Sequence, residues 1–136
     1  MIVYVDASAL VPLIKIEDAS ALLRDYLGDL IDDGHLLVAG QLLETEMLRA
    51  ANRQGISPSA VEAVLENVHL IEHEASDFSV AARFPMTELG SLDALHLAAA
   101  QRARVSAMIT LDTQLSSASQ AVGIPVLDVT RPRTLH

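Results

Sequence analysis

Five short apolar runs punctuate this chain: IVYV at 2–5, LLVA at 36–39, HLIEH at 69–73, AMITL at 107–111 and PVLDV at 125–129. Short runs of this kind, with β-branched residues among them, read as buried strands. The stretches between them read as helices. ASALVPLI at 7–14 is a short one that Pro12 bends or curtails. From Asp18, taken as a cap, the apolar positions Ala19, Leu22, Leu23, Tyr26, Leu27 and Leu30 recur at helical spacing as far as a stop at Gly34. A helix over 41–54 ends near Gly55, and Ser57 and Pro58 open another with a stripe of Val61, Val64, Leu65 and Val68. Further helices are expected over 75–84, from a cap at Ser91, and from Asp112 to Gly123. Strands that alternate with helices imply a parallel sheet covered on both faces. In such folds ligands bind beyond the carboxyl ends of the strands, where strand order reverses.

The chain's 136 residues fit a single domain spanning 1–136, large enough for a real core. Half of the residues are hydrophobic (51%), which excludes a disordered chain, and no apolar run is long enough for a transmembrane span. The opening MIVYVDASAL lacks the basic stretch and small-residue cleavage site of a secretory signal, so a cytoplasmic location is expected. Absence of cysteine excludes disulfides, thiolate metal sites and a cysteine nucleophile. The formal charge of −9 and an aromatic content of 3% argue against a basic or base-stacking nucleic-acid sleeve. They leave room for an enzyme that reaches phosphates through metal ions.

The stretch LGSLDALHLAAA at 89–100 is apolar on nearly every side, yet it carries Asp93, with His96 one turn on. A carboxylate in such surroundings is costly unless something pairs with it. Asp6 and Asp112 each follow the last apolar residue of an expected strand, and if those strands are neighbours both acids face one crevice. Taken singly, each acid has an ordinary explanation. Asp6 and Asp112 suit helix N-caps, Asp93 suits the positive end of a helix dipole, and Glu46 can pair with Arg49. His96 reads as a packed core histidine. Taken together, several like charges in one place need a counter-charge. No Lys or Arg lies near the three Asp residues in sequence, and all-oxygen ligation suits Mg²⁺ or Mn²⁺. On the helix over 41–54, Glu44 and Glu46 flank the Leu43/Met47/Ala50 stripe from opposite sides, so periodicity does not choose between them.

VYVDASAL at 3–10, TEMLRA at 45–50, LGSLDALHLAAA at 89–100 and ITLDTQL at 109–115 resemble a PIN domain, and more narrowly a VapC-type toxin of a bacterial toxin–antitoxin pair. The likeness covers essentially the whole chain, with the motifs in the family's order. It implies a three-layer α/β/α sandwich around a parallel sheet of four to five strands. It further implies a Mg²⁺- or Mn²⁺-dependent endoribonuclease that cuts RNA, is inhibited by a cognate antitoxin and forms a homodimer. The family's acidic quartet maps onto Asp6, Glu46, Asp93 and Asp112 as catalytic and metal-holding residues, with Ser8 and Thr110 supporting the carboxylates. Glu46 is preferred to Glu44 because the family pattern is an acid, two apolar residues, then Arg-Ala.

Arg49 and Arg53, one helical turn apart, are the expected contacts to substrate phosphate or to the antitoxin, with Arg102, Arg104, Arg131 and Arg133 as further basic candidates. Two other acid-based folds fail on particular residues. A phosphotransfer receiver needs a late lysine, and the sole lysine is Lys15. A haloacid-dehalogenase-like phosphatase needs a second acid where Ser8 stands. The remaining alternative is a catalytically silent PIN-like module that binds RNA or protein.

Overall fold

The structure, a computed structural model, describes residues 1–15 and 19–133. Strands β1 (Ile2–Val5), β2 (Leu36–Gly40), β3 (His69–Ile71) and β4 (Ala107–Ile109) form one sheet in the order β3-β2-β1-β4. Every pairing is parallel, with Tyr4 beside Val38 on one side and beside Met108 on the other. The helices are α1 (Ala7–Ile14), α2 (Ala19–Asp32), α3 (Leu42–Arg53), α4 (Pro58–Leu65), α5 (Ala75–Ala82), α6 (Ser91–Arg102) and α7 (Thr113–Ala121).

The path of the chain explains why helices cover both faces. From β1 through β2 to β3 the chain advances towards one edge, and the connections carry α1 to α4, which pack on one another. From β3 it returns over both earlier strands to β4 at the opposite edge, carrying α5 and α6, and α6 packs against α7. Right-handed crossovers running in opposite directions put their helices on opposite faces of a sheet. The result is the expected α/β/α sandwich. Strand order reverses between β1 and β4, so the crevice lies at the carboxyl ends of those two strands.

The core follows the sequence pattern. Val3, Tyr4 and Val5 are fully buried in β1, and Leu43 and Met47 are fully buried on α3. On α6 Ala94, His96, Leu97, Ala98, Ala99 and Ala100 are all buried, as a helix apolar nearly all round must be. Ser57 caps α4, its hydroxyl accepting from the Ser59 N–H at 3.3 Å, and Pro58 occupies the first helical position.

Four expectations are corrected. PVLDV forms only a single bridge, Val126 beside Met108, because one turn of extended chain after Gly123 makes two ladder hydrogen bonds and then departs. AMITL pairs only through Ile109; the Thr110 hydroxyl is engaged by Ser8 and by the Asp112 N–H, which turns the backbone out of the sheet. HLIEH pairs only over His69–Ile71, since the backbone of Glu74 is already bound to the Asp77 side chain in a capping box. Ser91 is the first residue of α6, and Gly90, with extended backbone, stands at the cap. The Asp18 cap falls outside the described residues. Among the described residues no helix is long and apolar enough to cross a membrane.

Candidate active site

The site is assembled at the reversal of strand order. Asp6 follows β1, and its N–H donates to the Ile109 carbonyl at 3.3 Å, so the end of β1 is tied to the end of β4. Asp6 stands at the N-cap position of α1 yet its side chain makes no capping hydrogen bond. Instead the Ser8 hydroxyl donates to Asp6 Oδ1 at 2.8 Å, and Ser8 Oγ accepts from the Leu111 N–H at 2.8 Å. Ser8 and Thr110 hydroxyls lie 3.2 Å apart, and Thr110 Oγ1 accepts from the Asp112 N–H at 3.1 Å. This small web joins the first acid to the segment that leads into the last one. Burial lifts the Asp6 carboxyl above its ordinary value, and hydrogen bonds from Ser8 and Thr110 work against that rise.

Asp112 does cap its helix: Oδ1 accepts from the Leu115 N–H at 2.8 Å. The capping explanation is therefore correct for its geometry, and its charge still acts on Asp93. Asp93 sits in the first turn of α6, half-buried. Among the described residues it has no hydrogen-bond donor and no ion-pair partner. Desolvation, then the charges of Asp112 and Asp6 and a smaller effect of Glu46, push its pKa to about 6. A helix N-terminus alone would pull an aspartate the other way. The three acids predicted to share a site with Asp93 thus act on it electrically.

Glu46 projects from α3 to the Nε2 of buried His96, and the two are in hydrogen-bond contact. Glu44 is exposed. His96 Nδ1 lies 2.6 Å from the hydroxyl of fully buried Tyr4, and that hydroxyl accepts from the Gly40 N–H at 2.8 Å. Gly40 is required by this close approach: a Cβ there would stand 2.3–2.4 Å from the His73 ring and 2.9 Å from the Tyr4 hydroxyl. His73 meets His96 edge-on, with ring centres 6.1 Å apart, and its Nε2 accepts from the Leu42 N–H at 3.2 Å. The participation of Tyr4 and Gly40 was not foreseen. A tyrosine inside the fully apolar IVYV run was the available signal, since a buried phenol needs a hydrogen-bond partner.

A cleft of about 490 Å³ opens beside Glu46, lined by Ser8, Glu46, Arg49, Arg53 and Leu92 among others; Asp6, Asp93 and Asp112 lie outside its lining. Both arginines of α3 are exposed on its wall. Three other basic candidates are engaged by acids: Arg102 with Asp77 and Glu74, Arg131 with Asp128, and Arg133 with Asp33. Among the described residues no group of three or more His, Asp or Glu side chains stands ready, as placed, to hold a metal ion. The donor set is nonetheless hard oxygen throughout, half-exposed at Asp93, and short of positive charge.

A sheet of this order with acids at the β1/β4 reversal defines a class, and the comparisons place the chain within it. The family model of the PIN domain matches residues 3–120, and the chain belongs to that family, as a VapC-type member. It is 38% identical over 132 residues to Ribonuclease VapC35 of Mycobacterium tuberculosis, covering 92% of this chain and 95% of that protein. Its fold is similar to the crystal structure of Mycobacterium tuberculosis VapC20, described as a sarcin-ricin loop cleaving toxin. There the TM-score is 0.68 at 17% identity, over 90% of this chain and 95% of the other. It is also similar to a chain of a toxin–antitoxin complex from Klebsiella pneumoniae, with a TM-score of 0.64 at 17% identity, over 93% and 97% of the two chains.

Proposed function

We propose that this protein is the endoribonuclease toxin of a toxin–antitoxin pair, hydrolysing RNA phosphodiester bonds at a Mg²⁺ or Mn²⁺ site held by Asp6, Glu46, Asp93 and Asp112. The observation that carries the reading is Asp93: a half-buried acid at about 6, raised by desolvation and by the charges of three more acids, with no cationic side chain paired to it among the described residues. The donors fit a hard divalent cation in kind, though not as a preformed cage. When bound, such a cation lowers the pKa of water and neutralises charge on the phosphoryl oxygens. The relatives' description as ribonucleases supports the same activity.

The chain's own residues have the following parts. Asp6, after β1, and Asp93, in the first turn of α6, would supply carboxylate oxygens to the ion. Ser8 and Thr110 hold Asp6 in place and oppose its protonation. Glu46 and Asp112 complete the negative field and orient the attacking water. Arg49 and Arg53, on the wall of the cleft, grip substrate phosphates. Water as nucleophile leaves 5′-phosphate and 3′-hydroxyl ends. The same acid-and-arginine arrangement suits inhibition by an antitoxin that brings a basic side chain to the carboxylates and acidic groups to the arginines. Toxin–antitoxin complexes among proteins of this fold support that partner. A homodimer and a cytoplasmic location belong to the same reading and rest on the family.

Calorimetric titration with Mn²⁺ tests the proposal. Wild-type protein should bind the ion, and Asp93→Asn, which keeps shape and loses charge, should not, while its circular dichroism stays native. Expression of the chain should slow growth, and Asp6→Ala should relieve it. Mn²⁺ affinity unchanged in Asp93→Asn, or equal toxicity of both forms, would overturn the assignment. Wild-type protein indifferent to Mn²⁺ would favour a catalytically silent module.

A further inference from the structure

Hydrogen-bond valence fixes the state of His96. The Tyr4 hydroxyl accepts from the Gly40 N–H at 2.8 Å, so its single proton needs an acceptor, and His96 Nδ1 at 2.6 Å is the one beside it. A buried hydroxyl proton with no acceptor is costly. Nδ1 is therefore an acceptor, and the imidazole's own proton resides on Nε2, facing Glu46. A doubly protonated ring would serve Glu46 equally well but would leave the Tyr4 proton unplaced. The relay runs in one direction, from the Gly40 N–H through Tyr4 and His96 to the carboxylate. Each member is anchored. Gly40 ends β2, Tyr4 lies in β1, and His96 is fully buried on α6, three residues from Asp93. Glu46, by contrast, is partly exposed on α3, and its side chain has freedom to turn towards solvent.

We propose that His96 is a positioning residue for the acidic site: locked as the Nε2–H tautomer by Tyr4, it fixes the Glu46 carboxylate at the cleft and thereby sets the site's affinity for a divalent cation. The inference rests on the metal reading given above and deepens it, by naming what holds the one acid that comes from α3. It assigns a role to the chain of three buried polar groups, from three different elements, that ends on Glu46. A hydrogen bond from a fixed ring removes rotamers from a long carboxylate side chain before any ion arrives, and partners of this kind commonly govern metal affinity by tenfold or more.

Two measurements test this. The ¹⁵N imidazole spectrum of the ion-free wild-type protein reads the tautomer directly. A His96 protonated at Nε2 and bare at Nδ1 is expected, and a protonated Nδ1 would overturn the relay. Mn²⁺ calorimetry then compares three variants confirmed as folded by thermal melting. His96→Leu should weaken binding by about tenfold or more. His96→Gln, which returns an N–H donor towards Glu46, should recover most of that loss, and Tyr4→Phe should fall between the two. Wild-type affinity in His96→Leu alongside loss of binding in Asp93→Asn would sink the positioning role and leave the metal site standing. Wild-type protein that takes up no Mn²⁺ overturns both.

Discussion

Helix α6 carries an ionic group at each end, and the two ends are treated oppositely. At its last turn Arg102 meets Asp77 through two hydrogen bonds, Nε to Oδ1 at 2.9 Å and a terminal nitrogen to Oδ2 at 3.0 Å. The Glu74 N–H adds a third to the same carboxylate at 3.0 Å. Burial opposes the charge of Asp77, but these donors outweigh it and hold its carboxyl below the ordinary value. At the first turn Asp93 exposes more of its surface than Asp77, yet desolvation and the neighbouring carboxylates push it up to about 6. Solvent exposure alone therefore does not separate the two. Compensation does: Asp77 is met by a guanidinium and an N–H, while Asp93 has no such donor and adds to its desolvation the charges of three more carboxylates. The first arrangement closes a structure, joining α5 to α6. The second leaves a negative field unfilled, which is what a cation site requires.

Activity should divide along this line, and here the largest effects are expected. Glu46→Gln should slow single-turnover RNA cleavage at saturating Mn²⁺ by on the order of 10²-fold or more, the scale seen when a positioned catalytic group is lost. Glu44→Gln, at an exposed position of the same helix, should leave the rate nearly unchanged, and so should Arg102→Met at the far end of α6. A greater loss from Glu44→Gln than from Glu46→Gln would mean that the wrong acid has been placed in the field around Asp93.

The sequence made one side of this comparison legible and hid the other. Asp6, Asp93 and Asp112 stand out because each interrupts or ends an apolar pattern, and the parallel order of strands brings two of them to one crevice. Glu46 does not stand out: helical periodicity treats it and Glu44 alike, and only the family pattern chose. What separates them is contact with His96, fifty residues away in sequence, and no local period reports that. Asp77 and Arg102 were equally silent, since their pairing spans 25 residues and each alone reads as a solvated helix charge. Element ends were misjudged where side chains intervene in the backbone, as Thr110 does after β4 and Asp77 does after β3.

Stability should show the reverse ranking. Arg102→Met leaves Asp77, only 2% exposed, with one N–H donor and, 3.8 Å away, the His73 ring as its remaining neighbours in place of the guanidinium. Breaking a buried pair costs about 3–5 kcal/mol; the Arg102 side chain keeps 29% exposure, so a loss of about 2 kcal/mol in urea unfolding at neutral pH is expected. Replacing Asp77 by Asn in the same protein should return much of it. A loss of only a few tenths, the scale of a surface pair, would mean that Asp77 is not held by Arg102 and that the two ends of α6 differ less than drawn here.

The finest test is the pH dependence of the two ends. Asp93 titrates at about 6 in the folded chain against 3.8 ordinarily, so between those values the folded state holds a proton that the unfolded state has released. Raising pH through that window therefore favours the unfolded state, and the penalty is complete above about pH 6. Asp93→Asn removes it. In chelator-treated buffer the variant should be more stable than wild type at neutral pH, by about 1 kcal/mol once the full shift is discounted for solvent screening of a half-exposed group. The gain should fade as pH drops below 6 and vanish only well below the ordinary value of 3.8, where wild-type Asp93 is neutral in both states. Asp77 has the opposite sign: its depressed value supplies stability above the ordinary carboxylate range, lost as acid protonates it. Melting curves of Asp93→Asn and Arg102→Met should thus lie on opposite sides of wild type at pH 7 and approach it together in acid. Saturating Mn²⁺ at pH 7 should abolish the advantage of Asp93→Asn, because only wild type retains the carboxylate that the ion stabilises. An Asp93→Asn curve that lies below wild type at neutral pH without metal would show that Asp93 is compensated after all.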